Sequence, residues 1–306
     1  MRVTDLSSEL RHAARTLKRT PGFAMLAIGT LGLALGALAA LFSVVDTVLL
    51  RPFPYAQPER LVVILATAPG SQMPEEFGVA NEFYVQYRER SKLLEDVAIT
   101  NSFTNSLRYG DRVERLPMSA PTETVFSTLG VAPALGRLPT AADEDRAIVI
   151  SDRLWNDWFG RDPAVLGKLV RVFGEERPIV GVMPASFRFP EDRTLLWVSN
   201  PVTAADIEQP GQFGNALVGR LKPGATIEAL NAELTAIARE LPVRFGGTPA
   251  YARLIEQHRA IVRTLDEQLL GDFRRPLWVL LAATALVLLI ACANLANLFL
   301  VRAESR

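Results

Sequence analysis

The chain has 306 residues, no net charge and one cysteine, a composition that would suit an ordinary soluble enzyme. It is not a disulfide-stabilised scaffold, since Cys292 has no partner, and it lacks the basic excess of a nucleic-acid-binding protein. The apolar residues, however, are concentrated in two uncharged runs, 23–45 and 277–301. Each run has enough residues to cross the roughly 30 Å hydrocarbon core of a bilayer as a helix, so we expect two transmembrane helices.

The first segment, residues 1–22, is a basic tail. Leu6, Leu10 and Leu17 recur at helical spacing, which predicts a short amphipathic helix lying on anionic membrane lipid. A frayed charged tail that only fixes topology is the alternative. The tail holds five basic and two acidic residues, whereas segment 51–275 holds 26 basic and 29 acidic residues. The positive-inside rule therefore puts the tail in the cytoplasm and the large segment outside.

The second segment, residues 23–50, is predicted as the first transmembrane helix. Gly32 and Gly36 lie four residues apart and form a small-residue face that another helix can approach closely. The general tolerance of glycine in membrane helices is the alternative interpretation. A basic tail before an apolar run is also typical of a signal peptide, but this run continues past the small residues at 37–39, so we expect the helix to be retained.

The middle segment, residues 51–275, is expected to be an extracytoplasmic domain. Strand and helix patterns alternate at both its ends, while the part between about 97 and 200 is rich in strand and turn signals. We therefore predict an α+β fold in which an α/β subdomain, built from both ends of the segment, carries an inserted β-rich subdomain.

Local patterns within the domain predict several elements. We expect a strand at 61–66, an extended segment at 97–109 and a hairpin around Gly174. A short helix capped by Ser151 is expected to place Trp155 and Trp158 in the core. Two longer helices are predicted, each with an apolar stripe: one from Asn81 with Phe83, Tyr84, Tyr87 and Leu94, and one capped by Thr226 with Leu230, Leu234, Ile237 and Leu241.

The last segments are a predicted second transmembrane helix at 276–301, after a helical stalk at 266–275, and a truncated cytoplasmic end at 302–306. Asn294 and Asn297 lie about one turn apart in the second span. Amides in hydrocarbon need hydrogen-bond partners, so this face is expected to meet protein rather than lipid. In one interpretation these amides form a structural hydrogen bond between helices, and in the other they line a transport path.

Patterns of catalytic or metal-binding residues are not found. The two histidines do not cluster, no Cys or His spacing suits zinc, and His258 is expected in a charged surface stretch. The glycine spacing at 160–168 does not match a phosphate-binding loop. The acidic pairs, such as those at 75–76, 143–145 and 175–176, are expected to be solvated. We therefore expect no enzyme activity and no catalytic, cofactor or metal site.

Several ordered sequence blocks carry a resemblance to a known family. They are Pro-Gly-Phe at 21–23 and the blocks at 42–52, 58–61, 129–131, 135–137, 155–160, 166–168, 180–184, 187–190 and 289–298. Together they resemble the amino-terminal portion of MacB-like or FtsX-like ABC transporter permeases, particularly the ADOP type. Each block alone is a weak signal, but their order and spacing cover essentially the whole chain.

The resemblance implies a permease subunit of the cell inner membrane. Such permeases have four membrane helices and a periplasmic core domain between the first two. For this chain, the resemblance implies the following partners: a cytoplasmic ABC ATPase, a second permease copy or half, and membrane lipid. No nucleic acid and no cofactor are expected. The implied mechanism is mechanotransmission of the export type, in which ATP hydrolysis by the separate ATPase moves the outer domain. The sequence does not indicate the substrate.

This chain departs from the family pattern by ending at Arg306, before the third and fourth helices, so a truncated subunit is expected. Two other functions stay open at this point. One is a two-span receptor, although only residues 302–306 follow the second span as an output. The other is an outer-face adaptor or assembly protein that binds a partner through 51–275.

Overall fold

The computed structural model of the protein describes the following residues: 21–46, 53–143, 145–208 and 210–304. They fall into two compact units. One contains the described residues up to 46 and those from 269 onward, and the other is the domain 53–268.

The helices of the described chain, leaving out short 3-10 turns, are as follows: α1 (Pro21–Val45), α2 (Asn81–Arg90), α3 (Val125–Leu129), α4 (Asp152–Phe159), α5 (Ile227–Ala238), α6 (Leu241–Phe245), α7 (Pro249–Gln257) and α8 (Leu265–Glu304). The strands are as follows: β1 (Leu61–Thr67), β2 (Leu94–Thr100), β3 (Phe103–Tyr109), β4 (Arg112–Ser119), β5 (Leu135–Gly136), β6 (Ile148–Ile150), β7 (Leu169–Val172), β8 (Glu175–Val182), β9 (Leu196–Val198), β10 (Ala216–Leu221) and β11 (Arg259–Thr264).

The first unit contains α1 and most of α8. Each helix has a window long and apolar enough to cross a membrane, Ile28–Val45 and Arg274–Asn297. Only 11% and 6% of these windows are buried, so neither helix resembles the core helix of a soluble protein. Pro276 interrupts the backbone hydrogen bonds of α8 near the start of its window.

The domain contains two β-sheets. The first is antiparallel with the strand order β11-β1-β10-β2, and its strands come from both ends of the domain sequence. Helix α2 packs on β2, helix α5 packs on β11, and the two helices contact each other. The core between them includes Ile64, Phe83 and Leu234. The short helix α3 packs on β2 and β10.

The second sheet consists of strands from residues 103–198. Its order is β5-β8-β6-β9-β4-β3-β7, and an additional pairing between β7 and β8 closes six of the strands into a ring. Alternate residues point into this ring, where Leu107, Ile150 and Val172 are buried. Helix α4 adds Leu154 and Phe159 to the same core.

The fold confirms the predicted mixed α+β domain and many local elements. Ser151 caps α4 by accepting a hydrogen bond from the backbone N–H of Leu154, and Thr226 caps α5 through Ala229. Both capping residues have an extended backbone, as an N-cap requires.

Three local predictions differ from the structure. The continuous extended segment predicted at 97–109 is instead two strands in different sheets, because the chain leaves the first sheet after Thr100. Leu94 is buried but begins β2 rather than belonging to α2. Leu241 is likewise buried but begins the separate helix α6, because α5 ends at Ala238.

Candidate functional site

Helix α1 has a covered stripe along one face. Residues on this face are wholly or partly covered and are spaced alternately three and four apart: Leu31, Ala34, Leu38, Leu41 and Val45. Alternation of three and four is the spacing of a helix that packs along its length against another.

The glycines lie on the opposite side of α1. At about 100° per residue, Gly32 and Gly36 point about 140° and 180° away from the centre of the covered stripe. Both are exposed, and a methyl group placed on either would meet no described atom within 4 Å. The structure therefore leaves this pair as an open small-residue face, and the packing of another helix against it stays a prediction.

Helix α8 also has a covered stripe, made of Leu277, Leu281, Thr284, Leu288, Ala291 and Leu295. Asn294 and Asn297 are exposed and lie outside it, about 100° and 160° from its centre. The amides are therefore not covered within the described unit. Their predicted hydrogen bonding to another protein helix stays a prediction. Leu6, Leu10 and Leu17 of the predicted amphipathic helix lie outside the described residues.

His258 does not lie in the charged surface stretch where the sequence analysis placed it. It follows α7, is 1% exposed, and its ring centroid lies 5.0 Å from that of Phe83. Neither ring nitrogen has a hydrogen-bond partner among the described residues. Burial, and secondarily the charge of Arg259, lower the pKa of His258 to about 4. The imidazole is therefore neutral at pH 7, and no serine or carboxylate is positioned to form a catalytic pair with it in the described part of the chain.

Trp155 and Trp158 are half-buried rather than in the core. Helix α4 turns Leu154 and Phe159 inward instead. The indole N–H of Trp155 donates to the carbonyl of Asp162 at 2.9 Å, which holds it against the turn after the helix. The guanidinium of Arg112 lies 4.2 Å from the ring centroid of Trp158, a cation–π contact.

The acidic clusters pair with arginines. Glu76 pairs with Arg263, and Asp143 accepts from Arg137 at 2.6 Å. Hydrogen bonds from Arg137, and then from Thr140, hold the pKa of Asp143 well below its usual value. Within the described ranges, no group of three or more His, Cys, Asp or Glu residues is arranged to hold a metal ion.

Arg220 on β10 makes a connection that the sequence analysis missed. Its side chain is 6% exposed and donates to the carbonyl oxygens of Ala56 at 2.7 Å, Thr128 at 3.0 Å and Gln57 at 3.4 Å. This connection, which we call the Arg220 clamp, ties the start of the domain to the first sheet and to α3. An arginine near the end of an apolar strand was the only signal for it in the sequence.

The ring of Tyr55 extends this connection to the chain between β8 and β9. It packs edge-on against Phe187 and Phe189, with centroid distances of 6.3 Å and 6.5 Å. Burial raises the pKa of Tyr55 to about 12. The segment that opens the domain therefore contacts β10 of the first sheet and the connection between β8 and β9 of the second.

A cleft of about 620 Å³, which no sequence pattern predicted, lies on the first-sheet side of the domain. It lies between the loop at 70–73, the loop at 210–213 and helix α7. Its lining includes Phe213, Tyr251, Arg253 and Leu254. The lining comes from three separate stretches of the sequence, and no motif marked them as a site.

Three solved structures resemble the described fold. A domain of a permease protein from Porphyromonas gingivalis is 16% identical, covers 69% of this chain and 92% of its own, and has a TM-score of 0.52, which shows a shared fold. The periplasmic region of MacB from Actinobacillus actinomycetemcomitans is 14% identical, covers 70% of this chain and 93% of its own, and has a TM-score of 0.49. The extracellular domain of the noncanonic ABC-type transporter YknZ from Gram-positive bacteria is 15% identical, covers 65% of this chain and 99% of its own, and has a TM-score of 0.46.

The comparison with sequence families identifies the chain itself. No functionally curated protein gives a significant match. The MacB-like periplasmic core domain family, in contrast, matches residues 24–237, from the first apolar helix to the end of α5. Since this match covers well over half of the sequence, the chain belongs to the MacB-like periplasmic core domain family of transporter permeases.

Proposed function

We propose that this chain is a permease subunit of an ABC-type transporter of the export type. A separate ATPase hydrolyses ATP in the cytoplasm, and the resulting movement of the membrane helices drives the domain 53–268 outside the inner membrane. Both termini are cytoplasmic. The observation that carries this proposal is the family match, which starts inside α1 and runs through most of the domain, together with the second apolar helix, α8.

The link between β11 and α8 supports mechanical coupling. The strand ends at Thr264 and the helix begins at Leu265, so no loop separates them. The hydroxyl of Thr264 accepts a hydrogen bond from the backbone N–H of Glu267 at 3.0 Å, which stabilises the first turn of the helix. Strand β11 pairs with six residues of β1, so a displacement of the start of α8 is passed directly to the first sheet.

The Arg220 clamp supports coupling at the other end of the domain. The segment it holds, 55–57, is the part of the domain that follows the first apolar helix in sequence. Because Arg220 and Tyr55 tie this segment to β10 and to the connection between β8 and β9, displacement of the segment would act on both of these parts of the domain.

The open faces of the two apolar helices support further assembly. The Gly32–Gly36 face and the amides of Asn294 and Asn297 are uncovered in the described unit. In a bilayer, small-residue faces and amide side chains are stabilised by contact with other helices. A second permease copy, or the other half of a transporter, fits this requirement, while the remaining apolar surface faces lipid.

The experiment that tests the proposal is affinity purification of the tagged chain from the membranes of its own organism, scored for an ATPase subunit and for ATP turnover. We expect an ATPase to be recovered, and its turnover to depend on the chain. Insertion of Gly-Gly-Ser between Thr264 and Leu265 should leave the ATPase bound but reduce this dependence, because the helix would no longer follow the strand directly.

The matched control carries the same insertion after Gly224, in an exposed turn between β10 and α5. It should behave as the unmodified chain. A stable membrane-inserted chain that binds no ATPase would contradict the proposal and would favour the adaptor function. Equal effects of the two insertions would contradict coupling through β11 and α8.

A further inference from the structure

The cleft beside α7 has the size and shape of a small-molecule site. Its volume of about 620 Å³ lies within the range of roughly 300–1,000 Å³ that is typical of clefts holding drug-sized ligands. Two walls are the loops at 70–73 and 210–213. The third wall is the face of α7 between residues 250 and 257.

The aromatic wall of the cleft is fixed in place. The ring of Tyr251 lies between Gly211 and Gly247, and a Cβ atom on either glycine would lie 2.9 Å or 2.7 Å from a ring carbon. Both glycines also have positive φ angles, so larger residues are disfavoured there for two reasons. The ring of Phe213 lies 6.5 Å from that of Tyr251 and extends the apolar surface.

A satisfied buried carboxylate holds this wall from behind. The hydroxyl of Tyr251 and the backbone N–H of Gly211 both donate to Oε1 of Glu82 at 2.9 Å. Glu82 is 1% exposed and does not line the cleft. The negative group therefore orients Tyr251 and the loop at 210–213 without presenting a charge to a ligand.

The charge of the cleft is that of a single arginine. Among the described lining residues, Arg253 alone is charged, and no described carboxylate pairs with it. It lies on α7 directly before Leu254, which also lines the cleft. An unpaired guanidinium beside aromatic and aliphatic surface complements a ligand that has one anionic group on an apolar body.

We propose that this cleft binds an amphipathic monoanion of the class of medium-chain carboxylates. The carboxylate pairs with Arg253, and the apolar body lies against Phe213, Tyr251 and Leu254. This binding is a property of the domain and does not depend on coupling to an ATPase, so the two proposals stand or fall separately.

The test uses the full chain in nanodiscs of zwitterionic phosphatidylcholine and a dodecanoate probe carrying a photoactivatable diazirine. Peptide mass spectrometry locates the labelled residues. We expect saturable labelling in peptides that contain 70–73, 210–213 and 248–257. Excess dodecanoate should abolish this labelling, whereas the same concentration of uncharged dodecanol should not.

Arg253→Gln should weaken the apparent affinity of the probe at least tenfold, because it removes the charge-assisted contact. The control is Arg239→Gln, which removes an exposed arginine that does not line the cleft and should leave the affinity unchanged. Labelling confined to the apolar helices would overturn the proposal. Equal competition by dodecanol, or wild-type affinity in Arg253→Gln, would overturn the assignment of an anionic ligand.

Discussion

At the residue scale, His258 was placed wrongly and Arg220 was missed because their surroundings come from distant parts of the chain. His258 is flanked by charged residues in sequence, yet its ring packs against Phe83, 175 positions earlier. The carbonyl partners of Arg220 are 92 to 164 positions away. Local composition describes neighbours in sequence only, so it could not identify either environment. Capping residues such as Ser151 were predicted correctly because their partners lie within one turn.

The buried imidazole of His258 makes the domain sensitive to acid. In the unfolded chain its pKa is about 6.5, whereas in the folded domain it is about 4. Between these values the unfolded state binds the proton more tightly, so this contribution to stability is complete above pH 6.5 and is lost as the pH falls toward 4. We expect the free energy of unfolding at pH 5.5 to be lower than at pH 8 by on the order of 1 kcal/mol because of this residue.

The variant His258→Phe tests this prediction, since a second ring can pack against Phe83 but cannot bind a proton. Urea unfolding is followed by tryptophan fluorescence at pH 8 and pH 5.5. The difference in unfolding free energy between the two pH values should be smaller in the variant by on the order of 1 kcal/mol. Burial raises the pKa of Glu82, so its contribution changes stability with pH in the opposite direction to that of His258. This contribution is the same in the unmodified protein and in the variant. An identical pH dependence in the two proteins would contradict the prediction.

The Arg220 clamp makes a second residue-scale prediction. Arg220→Met preserves much of the side-chain volume but leaves the carbonyl oxygens of Ala56 and Thr128 without their donor. We expect the free energy of unfolding to fall by about 3 kcal/mol. Arg193→Met is the control, because that side chain is 73% exposed and its pairing with Glu191 is a surface interaction. A loss in Arg220→Met as small as in the control would show that the clamp contributes little to stability.

At the element scale, strands and helices with strong periodic patterns were predicted, whereas the pairing of strands was not. The hairpin of β7 and β8 is local and was recognised from Gly174. The parallel pairings of β4 with β9 and β6 with β8 join segments separated by other elements, and no sequence pattern specified them. The division of the segment 97–109 between two sheets was missed for the same reason, because both strands have similar extended character.

The backbone of β8 at Gly181 lies so close to the chain around β5 that we expect no larger residue to be tolerated at this position. Gly181 pairs with Gly136 of β5, and a Cβ atom at Gly181 would collide with the carbonyl oxygen of Arg137. Backbone cannot move aside without breaking this pairing, so Gly181→Ala should reduce the free energy of unfolding by about 2 kcal/mol. Gly214→Ala is the control, because no atom lies within 4 Å of the added methyl group and its φ is not positive. Urea unfolding of both variants measures the effect, and equal stability would contradict the prediction.

At the scale of the whole molecule, the two apolar runs correctly predicted two apolar helices on either side of a mixed α+β domain. The sequence did not show which helix faces are covered. In the structure, α1 and α8 each have one stripe of covered residues, and the predicted contact residues lie outside both stripes. Gly32, Gly36, Asn294 and Asn297 therefore remain available for helices beyond the described unit.

Oxidative cross-linking in membranes tests whether a second copy packs on the glycine face. In a Cys292→Ser background, we expect Gly32→Cys and Gly36→Cys to form disulfide-linked pairs of the chain, because a small-residue face lets two backbones approach within the Cα separation of about 4.4–6.8 Å that a disulfide requires. Leu35→Cys lies at the same depth but about 60° round the helix from Gly32 and about 100° from Gly36, and should give little product. Equal yields at the three positions would indicate random collision. No product at positions 32 and 36 would contradict packing of a second copy on this face and would leave it to other helices of the transporter.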